Sequence, residues 1–348
     1  MAESSNHISQ RKIEHLELCL TDDVAFKQKT TGFDKYEFIH CAITEVEIGK
    51  IDFKTNFFGK EISYPFLISC MTGGAKETEN INGQLALAAS ELNIAIGVGS
   101  QRLALETKQF NESYKIIRKN APKIPVLGNI GAAQIAKLKD YDGIKYIAEL
   151  VEADGMFIHA NPVQELLQKR GEPDFSGLLR SIEKLVKFIN IPVIVKEVGA
   201  GISKDAAKKL LEAGVKGIDV AGAGGTSWAG VEILRNNEVG NYEFWDWGLP
   251  ASYCIRTVAE LKGKFDFILI GSGGVNNGIE AAKALALGAD IAASARIILH
   301  ELNKAGAEGV QILIKEWFEI VRKIMFLTGS SSIEELKTNK LIRKEKLY

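Results

Sequence analysis

The chain has 348 residues, 46% of them hydrophobic and 25% charged, with a formal net charge of -1. That composition is globular and long enough to bury a large core, as one barrel or as two smaller domains. A near-neutral chain gives no reason to invoke nucleic acid or an anionic membrane as partner, so any anion must be held by a local site. Cys19, Cys41, Cys70 and Cys254 lie far apart without CxxC spacing, which argues against structural zinc and disulfides and suits a reducing cytoplasm. The leader MAESSNHISQRK lacks a signal-peptide apolar stretch, and no apolar run approaches the roughly 18 residues of a membrane span. A soluble, cytoplasmic protein is expected.

Residues 1–65 precede the repeating part of the chain. Arg11, Lys12 and His15 cluster in the polar segment RKIEHLEL, which reads either as a solvated face or as a segment that folds over a bound anion. ITEVEIGKIDF and TNFFGKEISYPF read as strands turning at Gly59, a hairpin suited to covering the N-terminal mouth of a barrel. This leader and strand pair, 1–65, should cap a barrel formed by 66–348.

Eight short apolar runs then recur, each ending in Gly or a polar residue: 66–69, 94–99, 125–131, 155–161, 192–199, 217–225, 265–274 and 289–296. Near-continuous apolar runs suit parallel strands covered on both faces. Segments 80–92, 175–190, 203–214 and 276–290 carry apolar residues three and four apart, with Ser203 as an N-cap and Gly214 as a terminator. Eight β-then-α units close most naturally into a (β/α)8 TIM barrel. The rival, a doubly wound sheet, normally shows GxGxxG, and GVGSQR, GAGISK, GAGGTS and GSGGVN all lack the last glycine. The longest insertion, after the sixth strand, holds three of the four tryptophans and reads as a lid or binding loop, or as an oligomer contact. The stretch 311–348 offers only an amphipathic EWFEIVRKIMFL, suited to a closing helix.

In a barrel the active site lies at the C-terminal ends of the strands. GSGG after the seventh strand and ASAR after the eighth sit where barrels hold phosphate, although glycine-rich turns also arise for steric reasons. Lys196 ends an otherwise apolar run, so it either meets a partner such as a reduced flavin or a Schiff-base substrate, or snorkels or pairs with Glu197. In HANPVQE (159–165), His159 and Asn161 share one side of the strand end, while Gln164 and Glu165 follow Pro162 in the first turn of a helix. Glu165 there either ligates magnesium or complements the helix N-terminus.

At these residues the chain resembles the type 2 isopentenyl diphosphate isomerase family. The resemblance rests on RKIEH, MTGG, GVGSQR, GNIGAAQ, HANPVQE, VKEVGAGIS and AGAGGTSW, running from Arg11 to about Arg296. It implies an FMN-dependent barrel that interconverts isopentenyl and dimethylallyl diphosphate by acid-base chemistry, with Mg2+, and with NADPH as reductant of the flavin. Met71, Thr72, Gly73, Ser100, Asn129, Lys196, Thr226, Gly273, Gly274 and Ala295 would hold FMN. Arg11, Lys12, Ser100, Gln101 and Arg102 would bind the diphosphate, Gln164 would contact substrate, and Glu165 would ligate the metal. His159 and Asn161 match substrate-side positions, and Lys196 would stabilise the anionic reduced flavin. A homo-oligomer, tetramer or octamer, is the family expectation. The rivals are an FMN-dependent dehydrogenase or oxidase acting on a small anionic substrate, and a non-enzymatic flavin- or phosphate-binding protein.

Overall fold

Three short strands precede the main sheet in the computed structural model, which describes residues 2–237 and 239–347. They are β1 (Tyr36–Phe38), β2 (Thr55–Phe57) and β3 (Lys60–Ile62). The strands β4 (Phe66–Ile68), β5 (Ala95–Gly97), β6 (Val126–Gly131), β7 (Gly155–His159), β8 (Val193–Lys196), β9 (Gly217–Asp219), β10 (Ile268–Gly271) and β11 (Ile291–Ser294) come next, then β12 (Leu341–Arg343). β4 to β11 pair in parallel in chain order, and β11 closes on β4. This is the (β/α)8 barrel, and each of its strands falls within one of the eight apolar runs.

Both faces of these strands are dry, which is why the runs are continuous rather than alternating. Inward, Leu67, Leu127, Phe157, Ile194, Ile270 and Ile291 form one cluster. Outward, Ile68, Val126, Ile158, Val195, Ile218 and Leu269 join the core beneath the helices. Each fully buried side chain of this size contributes roughly 1.5–3 kcal/mol. Two residues further along, side chains return to the inner face. There Asn129, His159, Lys196, Asp219 and Ser272 make a polar layer at the C-terminal mouth.

The N-terminal mouth is plugged by the β2–β3 hairpin, whose Phe57 and Ile62 pack into the inner cluster. Its turn residues Phe58 and Gly59 both have positive φ, the geometry of tight two-residue hairpins. Lys60 pins it through Asp154 at 2.7 Å. The preceding segment, 43–53, corrects the strand expectation. It holds only the 3-10 turn Ile48–Lys50, because Ile51 and Phe53 are buried against the core and Arg322 bonds the Ile51 carbonyl, leaving Ile43 exposed. Its alternating pattern is satisfied by docking on a helix rather than by a ladder.

The helical segments form Glu77–Leu92, Leu178–Phe188, Lys204–Glu212 and Gly278–Ala286. Ser203 accepts from Ala206 N at 3.2 Å as the third one's N-cap. The C-terminal helix Arg296–Leu327 bends at Gly306 and buries Trp317, Phe318, Val321 and Met325. Beyond it, β12 pairs antiparallel with β1, and Lys337 reaches Asp290 at 2.9 Å. The stretch without a motif thus ties the chain's end to its beginning.

The N-terminal helix Ala2–Cys19 packs on the helices Trp228–Asn236 and Arg102–Glu106, across the C-terminal mouth. A strap behind it bonds the insertion: Ser227 N donates to Val24 O at 2.8 Å and Trp245 Nε1 to Ala25 O at 2.9 Å. Among the described residues no helix is long and apolar enough to cross a membrane.

Candidate active site

Between the strand ends and the N-terminal helix lies a cavity of about 250 Å3. Arg11, Lys12, Met71, Thr72, Ser100, Arg102, Asn129, His159, Asn161, Gln164, Glu165, Lys196, Thr226, Gly273, Gly274 and Ala295 all line it. Gly73 and Gln101 are not in that lining. The Gln101 amide donates to Ile147 O at 2.7 Å and accepts from Asn129 N at 3.0 Å, so its polar atoms brace β6 instead. Gly73 is a packing residue, since a Cβ there would lie 2.4 Å from the Tyr114 ring, and its carbonyl accepts from Lys12.

At the end of β7, His159 Nδ1 meets Asn129 Oδ1 at 2.9 Å. The Asn129 amide is oriented by its Nδ2 donating to Val98 O at 3.1 Å, so Nδ1 must be the donor and Nε2 is the bare nitrogen of the neutral ring. Burial, with Lys196 and Lys12 nearby, pushes His159 down to about 3. The ring is neutral at any physiological pH.

Pro162 opens the helix Pro162–Leu167, so Gln164 and Glu165 stand in its first turn. Asn161 Nδ2 donates to Gln164 Oε1 at 3.0 Å and to Glu165 Oε1 at 3.1 Å, while Glu165 Oε2 accepts from Glu172 N at 2.7 Å. Gln164 Nε2 donates to Glu232 Oε1 at 2.9 Å. Glu232, wholly buried, also accepts from His15 Nε2 at 2.9 Å and Arg235 at 2.7 Å. Burial opposes its charge, but His15, Gln164 and Arg235 outweigh that and hold its pKa below the usual carboxylate value.

The leader is no solvated face. Lys12 Nζ donates to Ser100 O at 3.0 Å and to the Tyr114 hydroxyl at 3.1 Å, besides the Gly73 carbonyl. Burial, with Arg11 beside it, pushes Lys12 down to about 7. His15 sets its ring edge-on to Trp228. Arg102 holds Glu172 at 2.6 Å and Glu106 at 3.2 Å.

Lys196, at the end of β8, donates to the Glu197 carbonyl at 2.6 Å. Its suggested pairing with the Glu197 carboxylate is not made: that group accepts from Val198 N at 2.6 Å and Gly199 N at 2.7 Å. Across the sheet Lys196 is in register with Asp219, whose carboxylate accepts from Ser272. In the glycine-rich loops after β9 and β10, a Cβ at Gly273 would lie 2.1 Å from Gly222 O, and one at Gly225 would lie 2.6 Å from Gly274 N. Only glycine permits this backbone approach. The helix Arg296–Leu327 begins at Ala295 without a side-chain cap, so its first N–H groups remain for an anion.

Sequence reasoning missed Glu232, Tyr114 and Asp219. Glu232 and Asp219 carried a signal, each a charge inside an apolar run (WAGVEIL, GIDVAG); Tyr114 carried none.

Residues 4–110 and 148–343 match the family model of the FMN-dependent dehydrogenases. The fold agrees with mandelate oxidase (TM-score 0.64, 16% identity, 93% of this chain and 92% of that one). It agrees likewise with the flavin-binding domain of baker's yeast flavocytochrome b2 (TM-score 0.67, 20% identity, 92% and 79%). Fold and site thus define an FMN-dependent barrel of that class. Much greater likeness is found to the isopentenyl-diphosphate delta-isomerase of Pelodictyon phaeoclathratiforme, 43% identical over 99% of this chain and 100% of that protein. The enzyme of the same name from Vibrio parahaemolyticus is 43% identical over 94% and 97%. The chain belongs to the isopentenyl-diphosphate delta-isomerase family.

Proposed function

We propose that the chain interconverts isopentenyl diphosphate and dimethylallyl diphosphate, with reduced FMN and Mg2+. The observation that carries this reading is the N-terminal helix over the mouth, which brings Arg11 and Lys12 into one cavity with Arg102, Gln164 and Glu165. Three cations and a carboxylate suit a diphosphate and its metal. A dehydrogenase or oxidase on a small anionic substrate would use the phosphate loops and Lys196 but has no need of that closure.

The residues fit FMN. Asn161 Oδ1 and Gln134 Nε2 are buried without a partner and line the cavity, so a polar ligand is needed to satisfy them. The ring system would rest on Met71, Thr72, Ser100, Asn129 and Lys196, and the phosphate on Thr226, Gly273, Gly274 and Ala295. Reduced FMN, when bound, supplies an ionisable nitrogen for acid-base chemistry without net electron flow. Moving the double bond adds a proton at C4 and removes one at C2. The chain's own part is to hold the diphosphate through Arg11, Lys12, Ser100 and Arg102, and to present Gln164 in one orientation. It also keeps a neutral His159 and Asn161 on the substrate side, and would offer Lys196 to an anionic reduced flavin.

Among the described residues no group of three or more His, Cys, Asp or Glu could hold a metal. Mg2+ would therefore take Glu165 as its protein carboxylate, with diphosphate oxygens and water completing the shell. NADPH or another reductant would serve only to activate the flavin. Residues 1–65 would act as caps on the barrel formed by 66–348. A cytoplasmic homo-oligomer, tetramer or octamer, goes with this reading, and the exposed Leu179, Phe188 and Trp247 support self-association. The test is an anaerobic assay of FMN-loaded, reduced protein with isopentenyl diphosphate and Mg2+. Dimethylallyl diphosphate is expected; flavin-replete protein that forms none would overturn the reading.

A further inference from the structure

The polar layer beneath the cavity contains a carboxyl group to which the proposed mechanism gives no task. Asp219 ends β9 in register with Lys196 at the end of β8. Its residue is wholly buried. One oxygen accepts from Ser272, whose own Oγ accepts from Ala221 N at 3.1 Å, and the other oxygen, Oδ2, has no partner. A buried carboxylate half supplied with donors is costly unless a charge compensates it or a proton neutralises it.

The groups around it leave one compensating charge. His159, on β7, is neutral because its pKa lies at about 3. Cys70, beyond β4, is a neutral thiol pushed up to about 12 by burial. Glu197 turns its carboxylate into the backbone N–H groups of Val198 and Gly199. Among the described residues only Lys196 remains, and it lines the cavity where an anionic cofactor would claim it. One ammonium cannot neutralise two anions in a site that excludes water.

We propose that Asp219 is the site's proton reservoir: ionised on the strand beside Lys196 while the cofactor ring is neutral, it takes up one proton when negative charge on the reduced ring engages Lys196. The inference rests on FMN being held at Lys196, as proposed. Two electrons and one proton convert FMN to its anionic reduced form, and a second proton converts the Asp219 carboxylate to the acid. Both protons come from solvent and both electrons from the reductant. Burial already raises Asp219 above the ordinary carboxylate value, against the opposing charge of Lys196.

The test is spectroelectrochemical titration of the FMN-loaded protein from pH 5 to 9, reading protons taken up per two electrons from the pH dependence of the midpoint potential. The absorbance of the reduced flavin reports its own ionisation at each pH. Over part of that range the wild type should take up two protons while the reduced flavin remains anionic, and Asp219→Asn should take up one throughout. Ser272→Ala removes a donor from the carboxylate, so it should move the two-proton window to higher pH, a shift that a merely structural role would not produce. One proton throughout in the wild type, or an unchanged stoichiometry in Asp219→Asn, would overturn the proposal while leaving the flavin site intact. Protein that binds no FMN would overturn both.

Discussion

Gln164 Nε2 donates to Glu232 Oε1 at 2.9 Å, so the orientation of an amide that lines the cavity is set by a buried carboxylate on the insertion after β9. The same carboxylate receives His15 from the N-terminal helix. Closure of the mouth and orientation of Gln164 therefore share one group.

Glu232→Gln should accordingly lower kcat at least about tenfold with a smaller change in KM, because the new amide has one acceptor oxygen for the donors of Gln164, His15 and Arg235 and sets an NH2 among them. Glu232→Ala should also cost about 2–3 kcal/mol of stability, since Gln164 and His15 lose a buried acceptor and Arg235 keeps only Glu14. Steady-state kinetics and urea unfolding check both. A folded Glu232→Gln enzyme with unchanged kcat would remove Glu232 from the positioning role.

Lys12 makes anion binding depend on pH. With its pKa at about 7 in the free protein, an anion that needs the ammonium form must bring in a proton above pH 7. Affinity for inorganic pyrophosphate should then fall by about tenfold per pH unit above 7, with one proton taken up per ion bound. Calorimetry in buffers of different ionisation enthalpy measures that proton. Lys12→Met should bind weakly and lose the dependence; an unaltered pH profile in this variant would contradict the assignment.

His159 gives an acid-side signature. Its folded pKa of about 3 lies below the ordinary value of 6.5, so between those values the unfolded chain binds more protons and stability falls as pH falls. The contribution is complete above pH 6.5 and is lost progressively toward pH 3. His159→Gln should therefore lose stability less steeply than wild type between pH 7 and 4, by denaturant titration. Parallel curves would mean the ring is not held neutral.

The barrel was legible because dryness on both strand faces writes itself as apolar runs, and strand-end polar groups mark the mouth. Finer placement depended on backbone turns that residue type does not encode. In GVGSQR, Ser100 and Arg102 reach the cavity while Gln101 between them turns inward to β6. Segment 43–53 alternates like a strand but spends its apolar residues on the core under the C-terminal helix. Tyr114, which receives Lys12, comes from a helix distant in sequence, and no local pattern announces it.

Glu165→Gln should leave the bound flavin's absorbance unchanged and depress turnover most at limiting Mg2+, because a neutral amide is a poorer ligand for a hard cation. Titration of activity against Mg2+ decides it. Wild-type turnover at low Mg2+ would take Glu165 out of the metal shell.

A flavin that works without being consumed as a redox reagent must turn over more substrate than the reductant it received. Anaerobic protein, its FMN reduced once with dithionite and the excess removed, is given isopentenyl diphosphate in deuterated water, and product is counted against the reductant added. Many equivalents of dimethylallyl diphosphate per flavin are expected, with solvent deuterium in the product. One product per equivalent of reductant, with the flavin left oxidised, would contradict that expectation.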